Sequence, residues 1–140
     1  MSVLVKGGRI ITATGRYTAD VFAEGDKIKA IGSDLDYPAD EIVDASGKYI
    51  LPGAIDPHTH ISMPFMGTHA QDDYETGTIA AACGGITTVV DFDLQQKGES
   101  LLEAIERKKS WAEGKTVVDY SLHPAVMDPR PEVIAEVKQA

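Results

Sequence analysis

The sequence predicts an α/β protein that begins with an all-β segment, and three observations lead there. Up to about Leu51, short β-branched runs are punctuated by glycine; from Pro52, strand-like and helix-like patterns alternate; and the intervening connections suit a parallel sheet. The 140 residues could hold one ordinary domain.

The first segment contains "VLVKGGRIITATG", "DVFAEGDKIKAIG" and "EIVDASGKYIL". These read as short strands of an antiparallel sheet. Gly7-Gly8, Gly25 and Gly47 are expected between strands, where turn positions with positive φ favour glycine. The stretch "SDLDYPAD" is the looser connection.

From Ala54 to His58 the pattern is a strand, from Gln71 to Cys83 a helix closed by Gly84-Gly85, and from Thr87 to Phe92 a second strand. The next helix opens with Ser100 and Glu103, the spacing of a capping box. Leu101, Leu102, Ile105 and Trp111 can share its apolar side, and Gly114 follows its end. Arg107, Lys108 and Lys109 then fall late in the helix, where cations meet the negative end of its dipole. Thr116 to His123 reads as the third strand. Pro131 suits the first turn of a last helix with Val133, Ile134 and Val137, expected to run to the end of the sequence.

Composition removes several classes of function. A formal charge of −9 argues against nucleic acid, which needs clustered Lys and Arg, and the one basic cluster is accounted for by the helix end. No apolar run approaches the ~20 residues of a membrane helix, and "MSVLVKGGRII" lacks the apolar core of a signal peptide. A single cysteine, Cys83, cannot form an internal disulfide. The reading is a cytoplasmic protein in which Cys83 is a small buried side chain.

The chemistry concentrates in "PGAIDPHTH". Residues two apart on a strand point the same way, so Asp56, His58 and His60 share a face if the extended geometry persists. Two neutral imidazoles projecting together match the preference of Zn²⁺ for nitrogen ligands and supply half a site. The pair also lies at the C-terminal end of an expected parallel strand, where α/β folds build active sites. Asp56, one step deeper, either orients a histidine or serves as a hydrogen-bonded structural carboxylate.

The run "ILPGAIDPHTH", followed by "PFMGTHAQDDYETGTIAAACGGITTVVDF", "GESLLEAIERKKSWAEGK" and "DYSLH", resembles the metal-dependent amidohydrolases, in particular the dihydropyrimidinase and hydantoinase branch. The resemblance spans nearly the whole chain. It implies a metal-dependent-hydrolase TIM (β/α)₈ barrel preceded by part of a small β-sandwich. Residues 1–52 would be the N-terminal part of the sandwich, and residues 53–140 about the first three βα units of an incomplete barrel. It further implies a centre of two Zn²⁺ ions that delivers water to a cyclic amide, opening dihydrouracil, dihydrothymine or hydantoins to N-carbamoyl amino acids in pyrimidine catabolism. His58 and His60 would bind one ion. The bridging carboxylated lysine, two further histidines and an aspartate would lie beyond Ala140. A homotetramer is implied for the complete protein.

Within the chain, His69, His123, Asp91 and Asp93 are expected in hydrogen-bonded structural or rim roles rather than as ligands. In the loop "SMPFMGTHAQDD" the resemblance implies Met63, Phe65 and Met66 as walls of a substrate pocket, since βα loops at this face shape specificity; the alternative is that they pack the loop against the barrel or a neighbouring subunit. Two other readings compete: a metal-free scaffold relative acting by protein association, and a non-catalytic fragment whose open strand edges pair with another chain.

Overall fold

Strand β1, Ser2–Ile11, runs straight through the glycine pair expected to end it. Gly7 takes φ +70°, and the register with strand β2, Arg16–Glu24, slips between Val5 and Gly8. This is a β-bulge. A left-handed residue lets one strand carry extra chain without breaking the ladder. Asp20 secures it, accepting from the Gly7 N–H at 2.7 Å. Gly25, at φ +61°, does turn the chain into strand β3, Lys27–Gly32.

The structure, a computed structural model, describes residues 1–140, which divide into the units Met1–Pro52 and Gly53–Ala140. In the first unit, strands β4, Glu41–Asp44, and β5, Tyr49–Ile50, both pair with β1 in parallel. The sheet has the order β3-β2-β1-β4 and is mixed, not antiparallel throughout as expected. The reason is the connection after β3. A parallel neighbour requires the chain to cross back, and residues 33–40 do this with Tyr37 stacked on Phe22 at 4.5 Å between ring centroids.

In the second unit, strand β6, Ala54–Thr59, leads into an antiparallel hairpin of strands β7, Pro64–Phe65, and β8, Thr68–His69. The sequence pattern reads there only as loop. The two turn residues, Met66 and Gly67, have φ +48° and +81°, the combination that matches the twist of a two-residue hairpin. Helix α1, Tyr74–Cys83, starts three residues later than the apolar pattern suggests, because Asp73 and Thr76 form a capping box there.

Strand β9, Ile86–Leu94, helix α2, Leu101–Ala112, strand β10, Asp119–Ala125, and helix α3, Pro131–Glu136, complete the unit. The three-stranded parallel sheet has the order β10-β9-β6. Strand β10 begins later than expected, and α3 stops at Glu136, with turns after it instead of further helix. The capping box at Ser100 is present. Ile61, Tyr74, Val89 and Ala112 form the core on the helix-covered side of the sheet. Cys83 is exposed, not buried, since α1 turns Tyr74 and Thr78 inward and ends with Cys83 outside. No helix is long and apolar enough to cross a membrane.

The basic run also departs from expectation. Arg107 binds Asp93 at 3.2 Å and Glu99 at 2.9 Å; Lys108 is 1% exposed and binds Asp91 at 2.9 Å; only Lys109 stays at the surface, paired with Glu106. Specific carboxylates, more than a helix dipole, place these cations.

Candidate metal half-site

The end of β6 is irregular in a way that sets up the histidines. Asp56 is in register with Val89 and Thr59 with Asp91, so three steps along β6 answer two along β9. Pro57 occupies the slip and has no N–H to lose from the ladder. The His58 N–H is satisfied locally by Asp56 Oδ1 at 3.1 Å.

The slip interrupts the expected common face. Asp56 borders a cavity of about 470 Å³ beside Gly77, Ala80 and Ala81 of α1, which His60 also lines. His58 and His60 both meet Phe92, at 4.5 and 5.5 Å between ring centroids. Asp56 thus bonds the backbone of His58 rather than either imidazole.

The two imidazoles stand nearly perpendicular, at 85°, with their Nε2 atoms 3.2 Å apart. Both side chains are exposed. For two ligands about 2.0–2.1 Å from one ion, a 3.2 Å separation subtends roughly 100° at the ion, near the tetrahedral angle that zinc favours. The donor set therefore fits one divalent ion as two of its ligands. It does not complete a site, for no group of three or more His, Cys, Asp or Glu side chains converges.

The other predicted residues separate clearly. Met63 and Phe65 line a cavity of about 430 Å³ that His60 and His69 also border. Met66 does not line it and lies at the hairpin tip, 89% exposed. His123 is beside Phe92, at 5.3 Å between centroids, in register with it on β10. That ring lies against His58, His60 and His123.

Asp91 and Asp93 share a side, as alternation requires, but it is the buried side. Asp93 keeps its proton more tightly than a free carboxyl because burial outweighs the opposing pull of Arg107. The Tyr74 hydroxyl is held far above its ordinary pKa by burial and by its hydrogen bond to Asp91. Sequence reasoning did not assign Phe92 or the Asp91, Lys108 and Tyr74 cluster. A signal existed for Lys108, which lies seven residues after Leu101 and so falls on the same helical stripe as the buried Leu101 and Ala104.

Residues 49–139 match the sequence model of the Amidohydrolase family. The chain is 49% identical to D-hydantoinase of Geobacillus stearothermophilus, covering 98% of this chain and 29% of that protein. It is 46% identical to dihydropyrimidinase of Rattus norvegicus, covering 89% and 25% respectively. Among solved structures, dihydropyrimidinase from Brevibacillus agri NCHU1002 superposes with a TM-score of 0.94 at 48% identity, covering 99% of this chain and 30% of that one. The chain thus spans less than a third of the length of these relatives.

Proposed function

Because this chain belongs to the amidohydrolase family, we propose that it is the N-terminal part of a zinc-dependent enzyme that opens cyclic amides, dihydropyrimidines or hydantoins, to N-carbamoyl amino acids. Residues 1–52 contribute to a β-sandwich, and the parallel βα units of residues 53–140 begin a (β/α)₈ barrel. The observation that carries the reading is the pair of Nε2 atoms 3.2 Å apart at the C-terminal end of a parallel strand. The high identity to proteins named D-hydantoinase and dihydropyrimidinase supports the substrate class.

His58 and His60 would hold one ion of a two-metal centre through Nε2. When bound, the metals supply an activated water near neutral pH and polarise the substrate carbonyl. The chain's own residues prepare that chemistry. Phe92 limits the tilt of both imidazoles, Asp56 holds the His58 backbone, and Met63 and Phe65 give a mainly apolar wall beside His60 for the ring and its substituent. The remaining ligands come from later barrel strands, and the complete enzyme assembles as a homotetramer.

Metal analysis and ring-opening assays on the full-length protein test this. Zinc should co-purify, and His58→Ala/His60→Ala should lose metal and lower dihydrouracil and hydantoin hydrolysis at least about 10³-fold. Residues 1–140 alone should show no appreciable hydrolysis. A full-length protein free of metal and inactive on both substrates would sink the enzyme reading in favour of a scaffold.

A further inference from the structure

Directly behind the histidines lies a sealed pair of opposite charges that metal binding does not use. Asp91 is 0% and Lys108 1% exposed, and their charged atoms meet at 2.9 Å. Asp91 Oδ1 accepts from the Ile61 N–H at 2.8 Å and from the Thr59 hydroxyl at 3.1 Å, while Oδ2 accepts from the Tyr74 hydroxyl at 2.8 Å. Lys108 Nζ donates to the Ile61 carbonyl at 2.6 Å. The residue after His60 is therefore gripped on its N–H by an anion and on its C=O by a cation.

Strand β6 ends at Thr59, so His60 and Ile61 are outside the ladder that would ordinarily fix them. Burying two charges is a poor way to gain stability, since well-packed apolar residues often do as well. What the charges add is direction: their hydrogen bonds converge on residues 59 and 61, flanking His60 on both sides. The Lys108 ammonium is further confined between the rings of Tyr74 and Trp111, 5.5 and 5.4 Å from their centroids.

We propose that Asp91, acting with Lys108 and Tyr74, is a positioning residue for the metal half-site: by clamping the chain on either side of His60 it holds the His58 and His60 nitrogens at metal-binding separation. The inference rests on the metal reading of those histidines. Asp91 touches neither imidazole. It acts through the Thr59 hydroxyl and the Ile61 backbone, as outer hydrogen-bonding partners of metal ligands commonly set the orientation of the groups that bind.

The test uses the full-length metalloprotein and three variants, with metal affinity read by chelator competition, the visible spectrum of the Co²⁺-substituted protein, and the melting temperature of the metal-free form. Tyr74→Phe keeps the ring beneath Lys108 and removes one hydrogen bond, so its folding is little disturbed. It should weaken metal binding several-fold and shift the Co²⁺ bands. Asp91→Asn, nearly isosteric, should weaken it about 10- to 100-fold. If both variants bind metal and colour with Co²⁺ as the unmodified protein does, while their metal-free forms melt lower, the cluster is only structural and the proposal is wrong. Should Asp91→Asn fail to fold, Tyr74→Phe alone decides between these outcomes. His58→Ala separates the two readings: unchanged metal content and Co²⁺ spectrum there would remove the half-site, and the positioning role with it.

Discussion

Lys108 has basic neighbours on both sides, yet its ammonium alone is sealed from water, against Asp91 and the Ile61 carbonyl. Removing one member of such a pair strands the other charge in the interior. Lys108→Met should therefore cost the protein roughly 3–5 kcal/mol in urea unfolding. Asp91→Asn/Lys108→Met should cost less than the single change, because the introduced amide is neutral and its oxygen can still accept from the Ile61 N–H. If the two losses simply add, Asp91 and Lys108 are not coupled. The juxtaposition of the two histidines was readable at this scale because two-residue spacing at a strand end is a local pattern. The charge pair was not, since Asp91 and Lys108 are joined only by the packing of α2 on β9; its one trace in the sequence was a lysine in register with apolar positions.

Elements were legible where their signals are local and were misjudged where pairing decides. The capping boxes show this from both sides. Ser100 and Glu103 mark the start of α2 correctly, and Asp73 with Thr76 marks the true start of α1, which the apolar pattern placed at Gln71. Gly7-Gly8 resembled a turn, but β2 pairs across it on both sides and makes it a bulge within β1. Glycine is needed there for its left-handed backbone, where a Cβ costs about 1–2 kcal/mol. Gly7→Ala should lower stability by that amount in denaturant unfolding. An unchanged midpoint would mean that the bulge relaxes without cost. The hairpin of β7 and β8 had only Gly67 to announce it, paired with a methionine that rarely adopts positive φ.

At the scale of the whole molecule, the excess of acid groups makes pH a direct probe of folding. Asp20 titrates below its ordinary value chiefly because the Gly7 N–H binds its carboxylate, with Leu35 N–H and Lys6 adding to the effect. A carboxyl with a depressed pKa in the folded state stabilises the fold above its unfolded value, 3.8, and loses that contribution as pH falls through the folded value. Stability should thus drop below about pH 4, and Asp20→Asn should flatten the drop. Urea midpoints compared at pH 7 and pH 3 measure it; an equal drop in the variant would exclude Asp20 as a contributor. The α/β class and the parallel order of the second unit were legible in the sequence, because strand and helix lengths alternate there. The mixed sheet of the first unit was not, because strand direction depends on how residues 33–40 cross, which no short pattern records.

The slip at Pro57 has a consequence for how this region can vary. Thr59 reaches Asp91 on one side of the sheet and the histidines meet Phe92 because β6 is one residue longer than its partner there. Chain length, as much as residue identity, is what aims the imidazoles. Exchanging a side chain near the motif perturbs one contact, whereas deleting a single residue between Asp56 and Thr59 turns the three-for-two match into an even ladder and removes the extra residue that aims the imidazoles at Phe92. Apart from the histidines and Thr59, the segment can drift in composition but not in count, and insertions belong in the hairpin beyond it.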